Sequence, residues 1–159
     1  MTTHAEDAYR LFQAAVGQPQ GAGAWFEVDQ ARIDAFAEVT EDRQFIHIDP
    51  EKCAELSPYG VPIAHGFLTL SMLSHLVSSV PIPPERLEGI AVGINYGFEK
   101  VRFISPVKVN SKIRAVLTLK AADLKDQNTI QSVNNITVEI EGESKPALIA
   151  DWVSRAIYS

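Results

Sequence analysis

Asp42-Arg43-Gln44-Phe45-Ile46-His47, continued through Asp49-Pro50 to Ile63-Ala64-His65-Gly66-Phe67-Leu68-Thr69-Leu70, is the stretch around which the rest of the chain is organised. Its first part sets a carboxylate and an imidazole five positions apart. Its second part begins a long apolar run with a glycine near the start. In a turn, an acid and a neutral imidazole at this spacing converge on one water molecule, remove its proton as it attacks and return a proton to the substrate. Asp42 and His47 are therefore the candidate catalytic pair. The spacing also fits a turn-capping aspartate beside a packed histidine, and taken alone it favours that plainer reading, because short motifs recur by chance.

On the N-terminal side, Ala8, Leu11, Phe12, Ala15 and Val16 recur at helical spacing, and Gly17 stands where a left-handed cap ends a helix. Residues 18–24 read as a Gly-rich loop and Trp25-Phe26-Glu27-Val28 as a short strand. Asp29 caps a helix over residues 30–39, with Ile33, Phe36 and Ala37 on one face. That helix ends near Thr40, which leaves residues 42–48 as a loop or turn. Asp49 and Pro50 supply the cap and first position of a short helix that Ser57-Pro58 closes. From Gly66 to Val80 the apolar residues lie on nearly all sides, so this helix is expected to be enclosed, and Pro81, Pro83 and Pro84 stop it.

After Gly89 the period changes to two. Ile113, Ala115, Leu117, Leu119 and Ala121 share one strand face, and Ile130, Ile136, Val138 and Ile140 share another. Ala147, Ile149, Val153 and Ile157 alternate with Leu148, Ala150, Trp152 and Ala156, which marks a central strand covered on both sides. With residues 90–103 this makes at least four long strands, turned at Asp126-Gln127-Asn128 and Glu141-Gly142-Glu143. Helices early and strands late describe an α+β fold, an antiparallel sheet wrapped around one long helix. A single domain over residues 1–159 is expected, with residues 1–20 as a helical extension.

At 159 residues the chain has room for one core, and 46% apolar with 21% charged residues fits a globular protein. A net charge of -6 argues against a nucleic-acid partner, whose phosphates call for concentrated Lys and Arg. Cys53 is the single cysteine, so no internal disulfide forms and a reducing compartment fits. No leader-like pattern and no apolar run approaching ~18 residues is present, so no membrane association is expected and the cytoplasm is the default.

Further resemblance lies in the wording of the central stretch. Phe36-x-x-Val39-Thr40-Glu41-Asp42-x-Gln44-Phe45-Ile46-His47 resembles the F-x-x-[LV]-[ST]-G-D-x-N-P-[LIV]-H signature of (R)-specific enoyl-CoA hydratases and MaoC-like dehydratases. Ile63-Ala64-His65-Gly66-Phe67-Leu68-Thr69 is similar to the segment that opens their central helix. Asn95 to Phe103, followed by Ser105-Pro106-Val107, is similar to their next strand. The resemblance covers residues 25–157 and sits nearest the nodulation protein N subgroup. It implies a hotdog fold, usually paired as a homodimer, and reversible addition of water to a trans-2-enoyl thioester of coenzyme A or an acyl carrier. The coenzyme A thioester is then substrate, and no cofactor is implied. By the same resemblance Asp42 and His47 activate the water, the Gly66 N–H donates to the thioester oxygen, and Ile63, Ala64, His65, Gln44 and Asn95 border the substrate. An N–H at a helix start is an orphan donor suited to enolate-like charge. Glu41, Gln44, Phe45 and Cys53 depart from the pattern, at positions where glycine, asparagine, proline and a small residue are usual.

Other candidates are weaker. His65 and His75 read more readily as packing histidines than as ligands. Four histidines without a matched carboxylate or thiolate cluster give no metal-site spacing, so no metal is expected. Cys53 reads as a buried thiol. Lys100, Arg102, Lys108, Lys112 and Arg114 suit either coenzyme A phosphates or the wet face of two strands, and the wet face is the commoner case. A hotdog thioesterase and a non-catalytic acyl-binding module are the alternative functions, since fold does not fix chemistry.

Overall fold

The computed structural model describes residues 3–159, so Met1 and Thr2 of the expected extension lie outside the described residues. Thr3 and Glu6 form a capping box that opens α1 (His4–Ala15), and Gly17 takes a positive φ of 79° just beyond its end. Pro19–Ala22 corrects the expected loop: it is a strand, β1, hydrogen-bonded to residues 116–118. Composition concealed it because a strand paired on one edge tolerates proline and glycine. β2 (Phe26–Val28) follows, and Asp29 caps α2 (Gln30–Thr40) by accepting the Arg32 N–H at 2.9 Å.

The sequence pattern suggests a loop over residues 42–48, but Phe45–Ile48 is one helical turn, α3. Asp49 then caps α4 (Pro50–Leu56) as its Asp-Pro pair predicts. The expected helix over residues 66–80 is shorter and bent. It consists of α5 (Gly66–Ser71) and α6 (Leu73–Val77), joined at Met72, whose ψ of -8° tightens the backbone there. Hydrogen bonds from Met72 to Leu68 and from Leu76 to Met72 carry the helical run through the bend. Nor is it enclosed on all sides, because Phe67 is 66% exposed.

Four long strands complete the chain: β3 (Ile90–Phe103), β4 (Ser111–Leu124), β5 (Thr129–Ile140) and β6 (Leu148–Tyr158). Every ladder is antiparallel, in the order β1-β4-β5-β6-β3, and β2 shares the outer edge of β4 with β1. β6 is thus central, as its two-sided apolar content predicts. Ile113, Ala115 and Leu117 join Ile136, Val138, Leu73, Leu76 and Ile33 in the main core. A break in register between Leu119 and Ala121 turns Ala122 inward in place of the expected Ala121. Beyond it Ala5 and Ala8 of α1 pack with Ile130 and Tyr158 as a second cluster. Among the described residues no helix is long and apolar enough to cross a membrane.

The link from α2 to α3 carries a local strain. Glu41 is left-handed at φ 62° and ψ 14°, a conformation that crowds any Cβ, and Arg43 bridges it to Glu38 across the exposed turn. Glycine there relieves a steric cost of ~1 kcal/mol, and loss of an exposed ion pair offsets little of it. Glu41→Gly is expected to raise the melting temperature by about 1–3 °C in scanning calorimetry, the freer unfolded chain taking back part of the gain.

Candidate active site

The turn after α2 places Asp42 at the surface, and the single turn of α3 then carries His47 inward to 6% exposure. His47 Nδ1 lies 2.7 Å from the carbonyl oxygen of Ile63, an acceptor only, so Nδ1 carries the proton and Nε2 is left as the acceptor in the neutral ring. The contact is reciprocal along the backbone, because the Ile63 N–H donates to the Ile46 carbonyl at 2.9 Å. Gln30 of α2 adds a third hold by donating to the His47 carbonyl at 2.7 Å. Tautomer and ring direction are therefore fixed from both sides of the site.

His65 completes the cluster. Its Nε2 donates to the backbone carbonyl of Asp42 at 2.9 Å, and its ring stacks on His47 with centroids 3.7 Å apart and planes 22° from parallel. Phe36 closes on the other side of His65 at 5.0 Å. One ligating atom from each of Asp42, His47 and His65 lies within 4.8 Å of the others. This corrects the expectation that the histidines lack a matched carboxylate, since folding adds His65 to a pair that spacing alone had joined. As a candidate metal centre the arrangement is poor. Lone pairs in two nearly parallel stacked rings do not converge on an ion that needs both nitrogens at ~2.0–2.1 Å. A water molecule, held at longer hydrogen-bond distances, suits it better.

Gly66 follows directly as the first residue of α5, where its N–H has no intrahelical acceptor. A Cβ at this position would lie 3.0 Å from two ring atoms of the half-exposed Phe103, so glycine lets that ring approach without being displaced. A cavity of about 240 Å³ opens here, walled by Ile63, Ala64, Gly66, Thr69, Phe103 and Val107 among others. Asp42, His47 and His65 are not among its lining residues; they join this segment through the His47–Ile63 and His65–Asp42 hydrogen bonds, with Ala64 and Gly66 adjacent along the chain. Gln44 stays exposed at the start of α3 and makes no capping hydrogen bond. Asn95 is not in this wall: it lines cavities farther along β3, beside Ser74 and Trp152.

The remaining candidates resolve plainly. Cys53 is fully buried, its thiol 3.4 Å from the Phe45 carbonyl, and burial raises its pKa, which suits an inert packing thiol. His75 packs edge-on against Phe26. Arg114 and Lys112 pair across strands with Glu139 and Glu141, so these two belong to the wet face. Gln30 as a support for His47, and the buried Arg86, carry no signal in the sequence, because each is one polar residue in an otherwise ordinary segment.

An antiparallel sheet over a bent helix, with acid, imidazole and helix-start glycine at one end, places the protein in the hotdog-fold class. The chain belongs to the MaoC like domain family, whose pattern matches residues 11–140. It is 45% identical to nodulation protein N of Rhizobium meliloti over 91% of this chain and 88% of that one. It is 39% identical to 3-hydroxyacyl-thioester dehydratase Z of Mycobacterium tuberculosis, over 91% and 92% of the two chains. The fold is shared with the (R)-hydratase from A. caviae involved in PHA biosynthesis, at a TM-score of 0.68 and 24% identity over 87% of this chain and 94% of that one.

Burial holds the His47 pKa below the ordinary histidine value; the Ile63 hydrogen bond opposes this, stacked His65 reinforces it, and Asp42 opposes it. The native ring is therefore neutral where the unfolded chain already binds a proton. Stability is fully present above about pH 6.5 and falls as the pH drops from there through the lower native value. An NMR titration is expected to place His47 below about 6.5, and denaturant unfolding at pH 7.5 and 5.5 to show less stability at 5.5.

Proposed function

We propose that this protein is an (R)-specific hydratase and dehydratase of enoyl thioesters, adding water reversibly to a trans-2-enoyl group carried on coenzyme A or an acyl carrier. The observation that carries this reading is the tautomer of His47, whose Nδ1 proton is spent on the Ile63 carbonyl so that Nε2 is left as an acceptor, in a ring with one nitrogen within 4.8 Å of an Asp42 carboxylate oxygen. Its family membership and its likeness to a relative named a 3-hydroxyacyl-thioester dehydratase support the same class.

The chemistry follows from the groups present. A water molecule donates one hydrogen bond to the Asp42 carboxylate and one to His47 Nε2. Its oxygen forms a bond to C3 of the enoyl group as the C2–C3 π electrons move towards the thioester oxygen. The Gly66 N–H meets the charge that develops there, and α5 is so short that this single donor matters more than any summed helix dipole. One proton leaves the water for the Asp42–His47 pair, and one proton passes from the pair to C2, so the sum is the addition of H and OH. Dehydration runs the same steps backwards. The pair acts as a unit, and the two protons are shared between its members. Arg102 and Lys108 are exposed next to Phe103 and Val107 of the cavity wall, well placed for the phosphates of a coenzyme A carrier.

The protein is further proposed to work as a homodimer. β3 is a sheet edge in the single chain and exposes Val92, Ile94, Tyr96 and Phe98, a combination that calls for cover. Light scattering at micromolar concentration is expected to give twice the monomer mass, and a monomer mass overturns the dimer.

Crotonyl-CoA tests the reaction. Loss of the conjugated enoyl absorbance without release of free thiol is expected; thiol release would mark a thioesterase, and neither change a binding module. Asp42→Asn and His47→Ala are each expected to lower turnover by about two orders of magnitude or more with the fold intact by circular dichroism. Unchanged turnover in either variant removes that residue from the mechanism.

A further inference from the structure

A second cavity, of about 400 Å³, lies between α6, the short 3-10 turn Pro84–Arg86, the inner face of the sheet and Phe12 of α1. Its size falls within the ~300–1,000 Å³ of small-molecule pockets. Val77, Ile82, Ile94, Leu117 and Trp152 give it a largely apolar wall, and it shares Ser74, Asn95 and Trp152 with the neighbouring groove under Phe98. Two guanidinium groups, those of Arg86 and Arg155, belong to the lining, and no carboxylate does. That is unusual in a chain of net charge -6.

Arg86 is the more telling of the two. It is only 3% exposed, and of its guanidinium nitrogens Nη2 alone has a hydrogen-bond partner, Gln20 of β1, among the described residues. Its Nε is buried with no hydrogen-bond partner among the described residues. The guanidinium lies 5.3 Å from the centre of the Phe12 ring, and no Asp or Glu pairs with it among the described ion pairs. Arg155 is likewise held by neutral groups, donating to Gln131 at 3.0 Å and lying 3.7 Å from the Tyr96 ring centre. A guanidinium stays charged in proteins, and burying it without a counter-charge costs far more than one amide and one ring return. The chain also spends other contacts on fixing it there, since Tyr158 donates its hydroxyl to the Arg86 carbonyl at 2.8 Å. Ser132 and Ser154, bonded to each other at 3.1 Å on the adjoining sheet wall, extend a polar strip beside the apolar one.

We infer that this cavity binds a carboxylate carried on an apolar chain, with the Arg86 guanidinium as its counter-charge and the apolar wall around its hydrocarbon. Such a carboxylate has two sources: a free aliphatic acid, or the far end of an acyl group whose thioester end is at Gly66. The inference itself does not depend on the hydratase reading, because the binding of a free acid is measured without turnover.

Trp152 in the cavity wall supplies a fluorescence readout on the intact protein. Octanoate is expected to saturate a change in its emission, whereas octanol binds at least about tenfold more weakly and octylammonium gives no saturable change at the same concentrations. Arg86→Gln is expected to weaken octanoate at least about tenfold and leave octanol unaffected, and Arg86→Lys to restore part of the loss. Octanol binding as tightly as octanoate overturns the inference, and this comparison needs only the wild-type protein should an Arg86 variant fail to fold. Octanoate affinity unchanged in a folded Arg86→Gln protein overturns it equally. The source is then read from turnover of enoyl-CoA substrates of equal length with and without a terminal carboxyl. A lower KM for the carboxylated one, abolished by Arg86→Gln, assigns the site to the acyl end, and equal KM values alongside octanoate binding assign it to a free acid. If neither substrate is turned over while octanoate binds, the hydratase reading fails and this one stands.

Discussion

One imidazole N–H holds the site together. By donating to the Ile63 carbonyl, His47 Nδ1 ties the turn after α2 to the strand-like segment that leads into α5, a junction reinforced by the Ile63 N–H on the Ile46 carbonyl and by His65 on the Asp42 carbonyl. The bond decides three things at once. It selects the tautomer, it aims the remaining nitrogen, and it draws Ile63 and Ala64 into place so that His65 and Gly66 arrive beside Asp42. His65 repeats the device in miniature, giving one N–H to the Asp42 carbonyl while its ring lies flat on His47. Two backbone carbonyls thus position two imidazoles. The carboxylate of Asp42 is left unspent by either.

Much of this was legible in the sequence wherever a local rule had a single solution. Asp29 and Asp49-Pro50 announced helix starts that the backbone obeys, and the alternation in β4, β5 and β6 named the inward residues up to the break at Leu119. Reading failed where the deciding contact is distant in sequence. β1 exists because β4 lends it hydrogen bonds, not because Pro19-Gln20-Gly21-Ala22 prefers extension. α3 is a helical turn because Ile63 and Cys53 fasten it from elsewhere. His65 looked like a packing residue for the same reason: its partner, the Asp42 carbonyl, is 23 positions away and no spacing rule reaches so far. The departure at Glu41 now has a physical meaning, since the turn needs a left-handed residue there and this chain accepts the strain.

Charge placement separates the two ends of the molecule. Beside Asp42 burial favours the neutral form of His47, and among the described residues no cation pairs with the Asp42 carboxylate, which leaves its acceptor capacity for a substrate or for water. Around Arg86 the situation is inverted, with cations held by side-chain amides and aromatic rings and no acid in the wall. The bend at Met72 separates α5, which begins at Gly66, from α6, and the groove along Ser74, Asn95 and Trp152 adjoins the Arg86 cavity.

The sheet has a further property that follows from its borders. On the β4 side, β1 and β2 lie along one edge as strands of four and three residues, β1 interrupted by a register shift between Pro19 and Gly21, so that this edge offers little to a visitor. β3 is the remaining long border. A ribbon that can be continued from one rim alone, by a like rim running the other way, reaches its full width after a single joining and has no free side on which to grow. Pairing of two such borders, as proposed for the dimer, would leave only the short β1 and β2 rims exposed.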